Sequence, residues 1–344
     1  MIQQRILIEG IGGIGGVLAA KIIQAGYAPV LVTNNQAITD AIKLYGLRIK
    51  DGAELYSVPV PNIFTALEDV PFGDFDAAYL IMKADGVVTA AKKSLPLLKP
   101  DGYVVTFQNG IVEDIVAEAI GAQRVISGII GWGGTMDKIG MYEKTTIGNI
   151  HLGELDGKIT ERLKNLATVC ETCTPVIVTD NIRGALWSKL AINCTITTIG
   201  ALTGETLGQL VRDGRVRKLF LRTYAEVVDT AEASGIRLER IATDPKLLYL
   251  PRGANFVQAL FKNALVRVVG MRYSKQKSSS LQSLERGRKT EIDYLNGYVV
   301  RQAQNVNVPT PVNAALVRMM KAIESGQRKV EPRNVEDLQQ ELKL

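Results

Sequence analysis

Gly10-Ile11-Gly12-Gly13-Ile14-Gly15 fits G-x-G-x-x-G and lies between an apolar run that reads as a strand and a stretch that reads as a helix. In that setting the first glycine permits a tight turn, the second lets a pyrophosphate approach the backbone, and the third allows close helix–strand packing. The helix N-terminus then faces the phosphates. Glycine-rich turns are common, so it is the context that points to dinucleotide binding through Gly10, Gly12, Gly13, Ile14 and Gly15. An acidic residue ending the second strand would hold the ribose 2′-hydroxyl of NAD, and an arginine would accept the 2′-phosphate of NADP. The chain has Thr33-Asn34-Asn35-Gln36 there. Asn34 can hydrogen-bond either ribose, so these residues leave both cofactors open.

A second group is polar residues on an apolar helix. Lys189, Asn193 and Thr197 are spaced by four and share one face of the stretch Ala185–Thr197. Spacing alone favours a solvated stripe over a wet cleft. Ser278-Ser279-Ser280 and Lys289-Thr290-Glu291-Ile292-Asp293 form another polar cluster, and charged helical residues are usually at the surface. Cys170-Glu171-Thr172-Cys173 has C-x-x-C spacing, but a structural zinc site needs four ligands and no second pair exists. The single histidine, His151, sits on an expected strand, so no metal site is expected. The cysteine pair reads more simply as the end of a helix than as a redox dithiol.

The elements that must carry these residues fall into two styles. Up to about Thr179, short apolar runs alternate with amphipathic stretches, the pattern of a doubly wound parallel sheet. Strands are expected at Arg5–Ile8, Pro29–Val32, Ala77–Met82, Tyr103–Phe107 and Val125–Ile130, with an edge strand over Thr145–Gly153. Helices are expected at Gly13–Ala25 and from about Gly86 to Leu98. Beyond Thr179 the apolar spacing is helical over Ile182–Ile199, Arg215–Ser234, Leu281–Val306 and Val312–Ser325. The fold class is therefore α/β: an N-terminal Rossmann-type domain over 1–179, an all-helical C-terminal domain over 180–326, and a polar tail or short helix over 327–344.

The chain has 344 residues, 46% hydrophobic and 22% charged, enough for two cores and against disorder or a disulfide miniprotein. Its 41 basic and 35 acidic residues leave a net charge of +6. No long run of like charge concentrates that excess, which suits anionic small molecules. The basic stretch Arg212–Lys218 lacks interleaved aromatics, so nucleic acid is not an expected partner. Three cysteines suggest a reducing compartment. No run of eighteen apolar residues marks a membrane span, so a cytoplasmic location is expected.

Taken in order, the glycine turn, Lys83, Gln108-Asn109-Gly110, Trp187-x-Lys189-x-x-x-Asn193, and Ser279 with Thr290-Glu291-Ile292-Asp293-Tyr294-x-Asn296-Gly297 resemble the ketopantoate reductase (2-dehydropantoate 2-reductase) family. The resemblance runs from about Ile6 to Gly297. It implies NADPH-dependent reduction of a small branched 2-oxo acid, ketopantoate to pantoate in pantothenate biosynthesis. It implies Lys189 as the proton donor and Glu291 as the carboxylate that orients substrate and ammonium together. By the same resemblance Asn193 and Ser279 hold substrate, Asn109 lies beside the nicotinamide, and Lys83 sits near the 2′-phosphate, which favours NADP over NAD. Thr197 stands where the family usually has a second asparagine, and Asn34 where it has an arginine. Trp132 enters a stretch of small residues, and the segment from Pro245 to Lys277 is longer than in compact members. Two alternatives stay open: a reductase of another 2-oxo acid, and a noncatalytic dinucleotide sensor, against which the joint presence of Lys189 and Glu291 argues. A homodimer also stays open.

Overall fold

Strand β1 (Ile6–Glu9) is wholly buried and feeds directly into the glycine turn, after which helix α1 (Gly13–Gln24) begins. The computed structural model describes residues 4–241 and 243–343. The chain divides into two compact units, one spanning Met1–Gln108 and Val112–Ile182, the other Asn109–Ile111 and Arg183–Leu344.

The first unit continues with β2 (Val30–Val32), α2 (Gln36–Tyr45), β3 (Leu47–Asp51), β4 (Glu54–Val58), β5 (Ile63–Phe64), β6 (Phe75–Leu80), α3 (Val87–Ser94), β7 (Leu98–Thr106), α4 (Glu113–Ile120), β8 (Val125–Ile130), β9 (Gly134–Lys138), β10 (Met141–Lys144), β11 (Ile150–Glu154), α5 (Glu161–Glu171) and β12 (Val176–Val178). Its main sheet has the order β12-β11-β8-β7-β6-β1-β2-β5. All its pairings are parallel except β8 with β11. The central strands are near-continuous apolar runs because helices cover both faces, and Ile8, Leu31, Tyr79, Val105 and Ile126 all enter one core. The Rossmann-type expectation is borne out.

A second sheet, β4-β3-β10-β9, was not expected from the sequence. Leu47 and Ile49 point inward while Arg48 and the last two residues of β3 stay more accessible, so the strand is too short and polar to announce itself. This sheet covers α1. Tyr142 of β10 is buried against Gly16, where an added Cβ would come within 2.3 Å of the ring, and its hydroxyl donates to the Ile11 carbonyl at 3.2 Å. The edge strand expected over Thr145–Gly153 is corrected twice. Only Ile150–Glu154 is strand, and it lies inside the sheet with β12 as the edge. Gly148 passes too close to the Gly131 carbonyl, 2.1 Å from an added Cβ, for the chain there to be a regular strand carrying side chains.

The second unit is helical: α6 (Ile182–Thr203), α7 (Leu207–Leu210), α8 (Gly214–Ala233), α9 (Phe256–Arg272), α10 (Ser279–Glu285), α11 (Asn296–Asn305), α12 (Pro311–Glu324) and α13 (Arg333–Leu342). The helical spacing read over Leu281–Val306 is interrupted. Arg286 ends α10, Gly287 takes φ +66°, and a turn from Glu291 to Leu295 precedes α11. Within residues 327–344, α13 packs Val335 and Leu338 into the same core as Leu202, Leu219 and Leu316. No helix among the described residues is long and apolar enough to cross a membrane.

Candidate active site

Register places the loops of the first unit in a row. Glu9 aligns with Val32 on one side and Leu80 on the other, and Leu80 aligns with Thr106. The glycine turn, Thr33-Asn34, Ile81–Lys83 and Phe107-Gln108 therefore leave the sheet together at the carboxyl ends of four adjacent strands, where open α/β sheets bind ligands. Gln108 ties two of these loops, its amide nitrogen donating to Leu80 O at 2.9 Å and Met82 O at 3.1 Å.

Gly10, Gly12 and Gly15 of the turn each stand in a different environment. Gly10 takes φ +95°, and a Cβ there would lie 2.6 Å from the Met82 nitrogen. Gly15 lets α1 close on the strand, since its Cβ would sit 1.9 Å from the Gly10 carbonyl oxygen. Gly12 differs: a Cβ there would meet nothing within 4 Å. Gly12 is also the N-cap of α1, with no side chain to occupy the first-turn amides. An open backbone face at the positive end of a twelve-residue helix fits a pyrophosphate. Asn34 is exposed, next to Asn35, which caps α2 by accepting from the Ile38 amide at 3.2 Å. Lys83 is half-buried just after β6.

Glu9 was not singled out from sequence. It is buried directly before Gly10, and burial raises its carboxyl to about 7, against lowering by the Ser94 hydroxyl and Lys93. Ser94 Oγ contacts both Glu9 Oε1 and Ala90 O. A hydroxyl has one proton to give, so a protonated Glu9 that donates to Ser94 satisfies all three groups.

In the second unit α6 is buried along most of its length, but Lys189, Ile192, Asn193 and Ile196 are partly open. Their i, i+3, i+4, i+7 spacing makes a single accessible stripe. Thr197 is buried at its margin. The opposite side of α6 is held by a polar network. Asn296 accepts from Thr198 Oγ1 at 2.6 Å and donates to Cys194 O at 3.1 Å and Asn313 Oδ1 at 2.8 Å. Glu226 of α8 accepts from Asn313 Nδ2 at 2.7 Å and from the Val312 and Asn313 amides at 2.9 Å. This network joins α6, α8, α11 and α12 and so fixes which side of α6 is held against its neighbours. Only Asn296 had a sequence signal; Asn313 and Glu226 lie in ordinary helical patterns.

Glu291, half-buried, opens the turn that leads into α11, and its carbonyl accepts the Tyr294 and Leu295 amides at 3.0 and 3.1 Å. The neighbouring Thr290 is pinned by its amide and hydroxyl to Glu324 at 2.7 and 2.6 Å. Asn109-Gly110-Ile111 packs on the same turn. Ile111 N donates to Tyr294 O at 3.4 Å, and a Cβ on Gly110 would come within 2.4 Å of that oxygen. The structure thus gathers Asn109 and Glu291 around one turn. Ser279 is exposed in the first turn of α10, after the capping Ser278.

Other sequence features find structural places. Cys170 is buried in the last turn of α5, and burial pushes both thiols up, the opposite of what a reactive dithiol needs. Trp132 is a core residue of the first unit with the Lys144 ammonium 5.0 Å from its ring centroid. Trp187 packs against Tyr298 at 5.8 Å between centroids.

Sheet and glycine turn together define the class, a protein built on a Rossmann-type unit with a helical unit following it in the chain. Comparison with known proteins then specifies it. Residues 6–157 match the family model described as ketopantoate reductase PanE/ApbA, and residues 181–324 match its C-terminal counterpart. The chain is 30% identical to a 2-dehydropantoate 2-reductase of Mesorhizobium japonicum, covering 94% of this chain and 99% of that protein. It is 26% identical to one from Archaeoglobus fulgidus, at 94% and 99% coverage. A crystal structure of a PanE/ApbA family ketopantoate reductase from Ralstonia eutropha JMP134 superposes with TM-score 0.79 at 26% identity, covering 95% of this chain and 100% of that one. A D-mandelate dehydrogenase solved with NADH and anilino(oxo)acetate shares the fold, with TM-score 0.80 at 20% identity and 94% and 99% coverage. The chain belongs to the ketopantoate reductase family.

Proposed function

We propose that the protein reduces a small branched 2-oxo acid, ketopantoate foremost, with NADPH. The observation that carries this reading is the open stripe of Lys189 and Asn193 on an otherwise buried helix, in a chain of this family. Gly10, Gly12, Gly13, Ile14 and Gly15 would hold the pyrophosphate, Asn34 and Lys83 the adenosine ribose end, and Asn109 the nicotinamide side. The dihydronicotinamide supplies the hydride that adds to C2 of the substrate. Lys189 then gives a proton to the carbonyl oxygen as negative charge develops there, the point at which a cationic acid stabilises the transition state most. Glu291 accepts from the Lys189 ammonium and from a substrate hydroxyl, fixing both. Asn193 and Ser279 supply neutral hydrogen bonds to the carboxylate and hydroxyl of the substrate, with Thr197 at the margin.

Lys83 supports NADPH, whereas the uncharged Asn34 weakens the preference; NADH is the second cofactor to be tested. Thr197 favours a second reading of the substrate, because a threonine offers a shorter polar reach than an amide. A panel of 2-oxo acids assayed with NADPH and NADH at the nicotinamide absorbance tests the proposal. Ketopantoate with NADPH should give the highest kcat/KM. Failure of every 2-oxo acid to oxidise either cofactor would overturn it and leave the sensor reading.

A further inference from the structure

Glu324 is the last residue of α12, where the negative end of the helix dipole disfavours a carboxylate. Its side chain is only 5% exposed, so desolvation disfavours the charge again. Lys321, one turn earlier, offsets part of this with its ammonium 3.6 Å from Oε2. The closer partner lies outside the helix. Oε1 accepts both the Thr290 amide at 2.7 Å and the Thr290 hydroxyl at 2.6 Å. A residue set against two local preferences points to a role beyond its own helix.

That role follows from what Thr290 holds in turn. Its hydroxyl oxygen accepts the Ile292 amide at 3.3 Å, so one carboxylate oxygen secures the residues on both sides of Glu291. Beyond Glu291, the Ile292 carbonyl accepts the Gly297 amide at 2.9 Å, and the Ile292 side chain is buried in the helical core. The same helix grips the turn at two further points: Lys321 pairs with Asp293, and Asn313 accepts from Asn296 at 2.8 Å. With the backbone before and after it fixed, the Glu291 carboxylate is placed by its own side-chain torsions alone. We infer that Glu324, acting through Thr290, is a positioning residue that sets where the Glu291 carboxylate stands. The inference rests on the role proposed above for Glu291 in 2-oxo acid reduction.

The substitutions separate geometry from charge. Glu324→Gln keeps an oxygen that accepts from both Thr290 groups and loses only the charge assistance. Glu324→Ala loses both bonds. Thr290→Val keeps the amide bond to Glu324 and removes the hydroxyl bridge to Ile292. Single-turnover reduction of ketopantoate by NADPH is measured in a double-mutant cycle of Glu324→Ala with Glu291→Ala; Lys189 remains in every variant to give the proton. A displacement of about 1 Å in a reacting array costs up to about 100-fold, so Glu324→Ala should slow the parent roughly 10- to 100-fold. The Kd of NADPH should stay within about twofold, the scatter expected of independent sites. In the Glu291→Ala background the same substitution should cost no more than about twofold, because the group it positions is already gone. Glu324→Gln should recover most of the lost rate. Thr290→Val should slow the parent and spare the Glu291→Ala protein, and it carries the cycle if thermal unfolding shows that Glu324→Ala does not fold. Equal slowing in both backgrounds, a parental rate in Glu324→Ala, or Glu324→Gln no faster than Glu324→Ala would overturn the inference and leave the proposed function standing. A parent that reduces no 2-oxo acid would overturn the proposed function, and this inference with it.

Discussion

Substituting alanine at two glycines of one turn should have opposite consequences. At Gly12 an added Cβ meets nothing within 4 Å, and the backbone is extended at φ −83°, ψ −164°, which alanine adopts freely. Gly12→Ala should therefore change stability by no more than about 0.5 kcal/mol, or raise it slightly by restricting the unfolded chain. The open space is the one a pyrophosphate would enter, so the methyl group should weaken NADPH. Losing one charge-assisted hydrogen bond, about 1.5–3 kcal/mol, corresponds to roughly a 10- to 100-fold rise in Kd. At Gly15 the Cβ would lie 1.9 Å from the Gly10 carbonyl oxygen, a backbone atom with no rotamer to change. Overpacking of this kind costs about 1–3 kcal/mol or more, a fall in Tm of roughly 3–10 °C for a unit of this size. Fluorescence titration with NADPH and thermal unfolding separate the two cases. A Gly12→Ala protein that binds NADPH within twofold of the parent would refute the pyrophosphate reasoning, and a Gly15→Ala protein of parental Tm would refute the packing reasoning.

The raised carboxyl of Glu9 makes stability depend on pH. Its folded value of about 7 exceeds the ordinary 4.5, so the stabilisation is fully present below about pH 4.5 and is lost as pH rises through 7. The loss is roughly 3 kcal/mol at most, and Glu9→Gln should flatten the fall of Tm between about pH 5 and 8; equal slopes in parent and variant would count against it. Asn34→Arg should lower the Kd of NADPH by about tenfold or more while leaving NADH nearly unchanged, because a guanidinium pairs bidentately with a phosphate; equal changes for both cofactors would mean the residue does not meet the 2′-phosphate. Thr197→Asn should raise the ratio of kcat/KM for ketopantoate over a 2-oxo acid of similar bulk without the terminal hydroxyl. An unchanged ratio would remove Thr197 from the substrate contacts.

The strand, turn and helix from Ile6 to Gln24 were legible because their signals, an apolar run, spaced glycines and helical periodicity, lie together in the sequence. Gly10 turns the chain, Gly15 spares a carbonyl, and Gly26, at φ +92°, follows the end of α1. The small sheet was not legible, since β3 and β10 are short, mixed in polarity and paired across more than ninety residues. Its trace was Gly16, a glycine beyond the needs of the turn, whose reason is the Tyr142 ring. The spacing of Lys189 and Asn193 was readable, but that α6 is buried around them depends on Asn296, Asn313 and Glu226 from three other helices. Glu9 was overlooked because a carboxylate in an apolar strand looks like an interruption until Ser94 is found beside it. The helical spacing over Leu281–Val306 hid a break, because periodicity carries on through a turn that only Gly287 marks.

The central claim is that Lys189 protonates the oxygen of a 2-oxo acid while hydride arrives at C2. Single-turnover reduction of ketopantoate with saturating NADPH, in the parent and in Lys189→Ala, tests it most directly. The account predicts pantoate from the parent, and turnover about 10²–10⁴-fold slower in the variant with the Kd of NADPH unchanged. A Lys189→Ala protein reducing ketopantoate within a few-fold of the parental rate would contradict it.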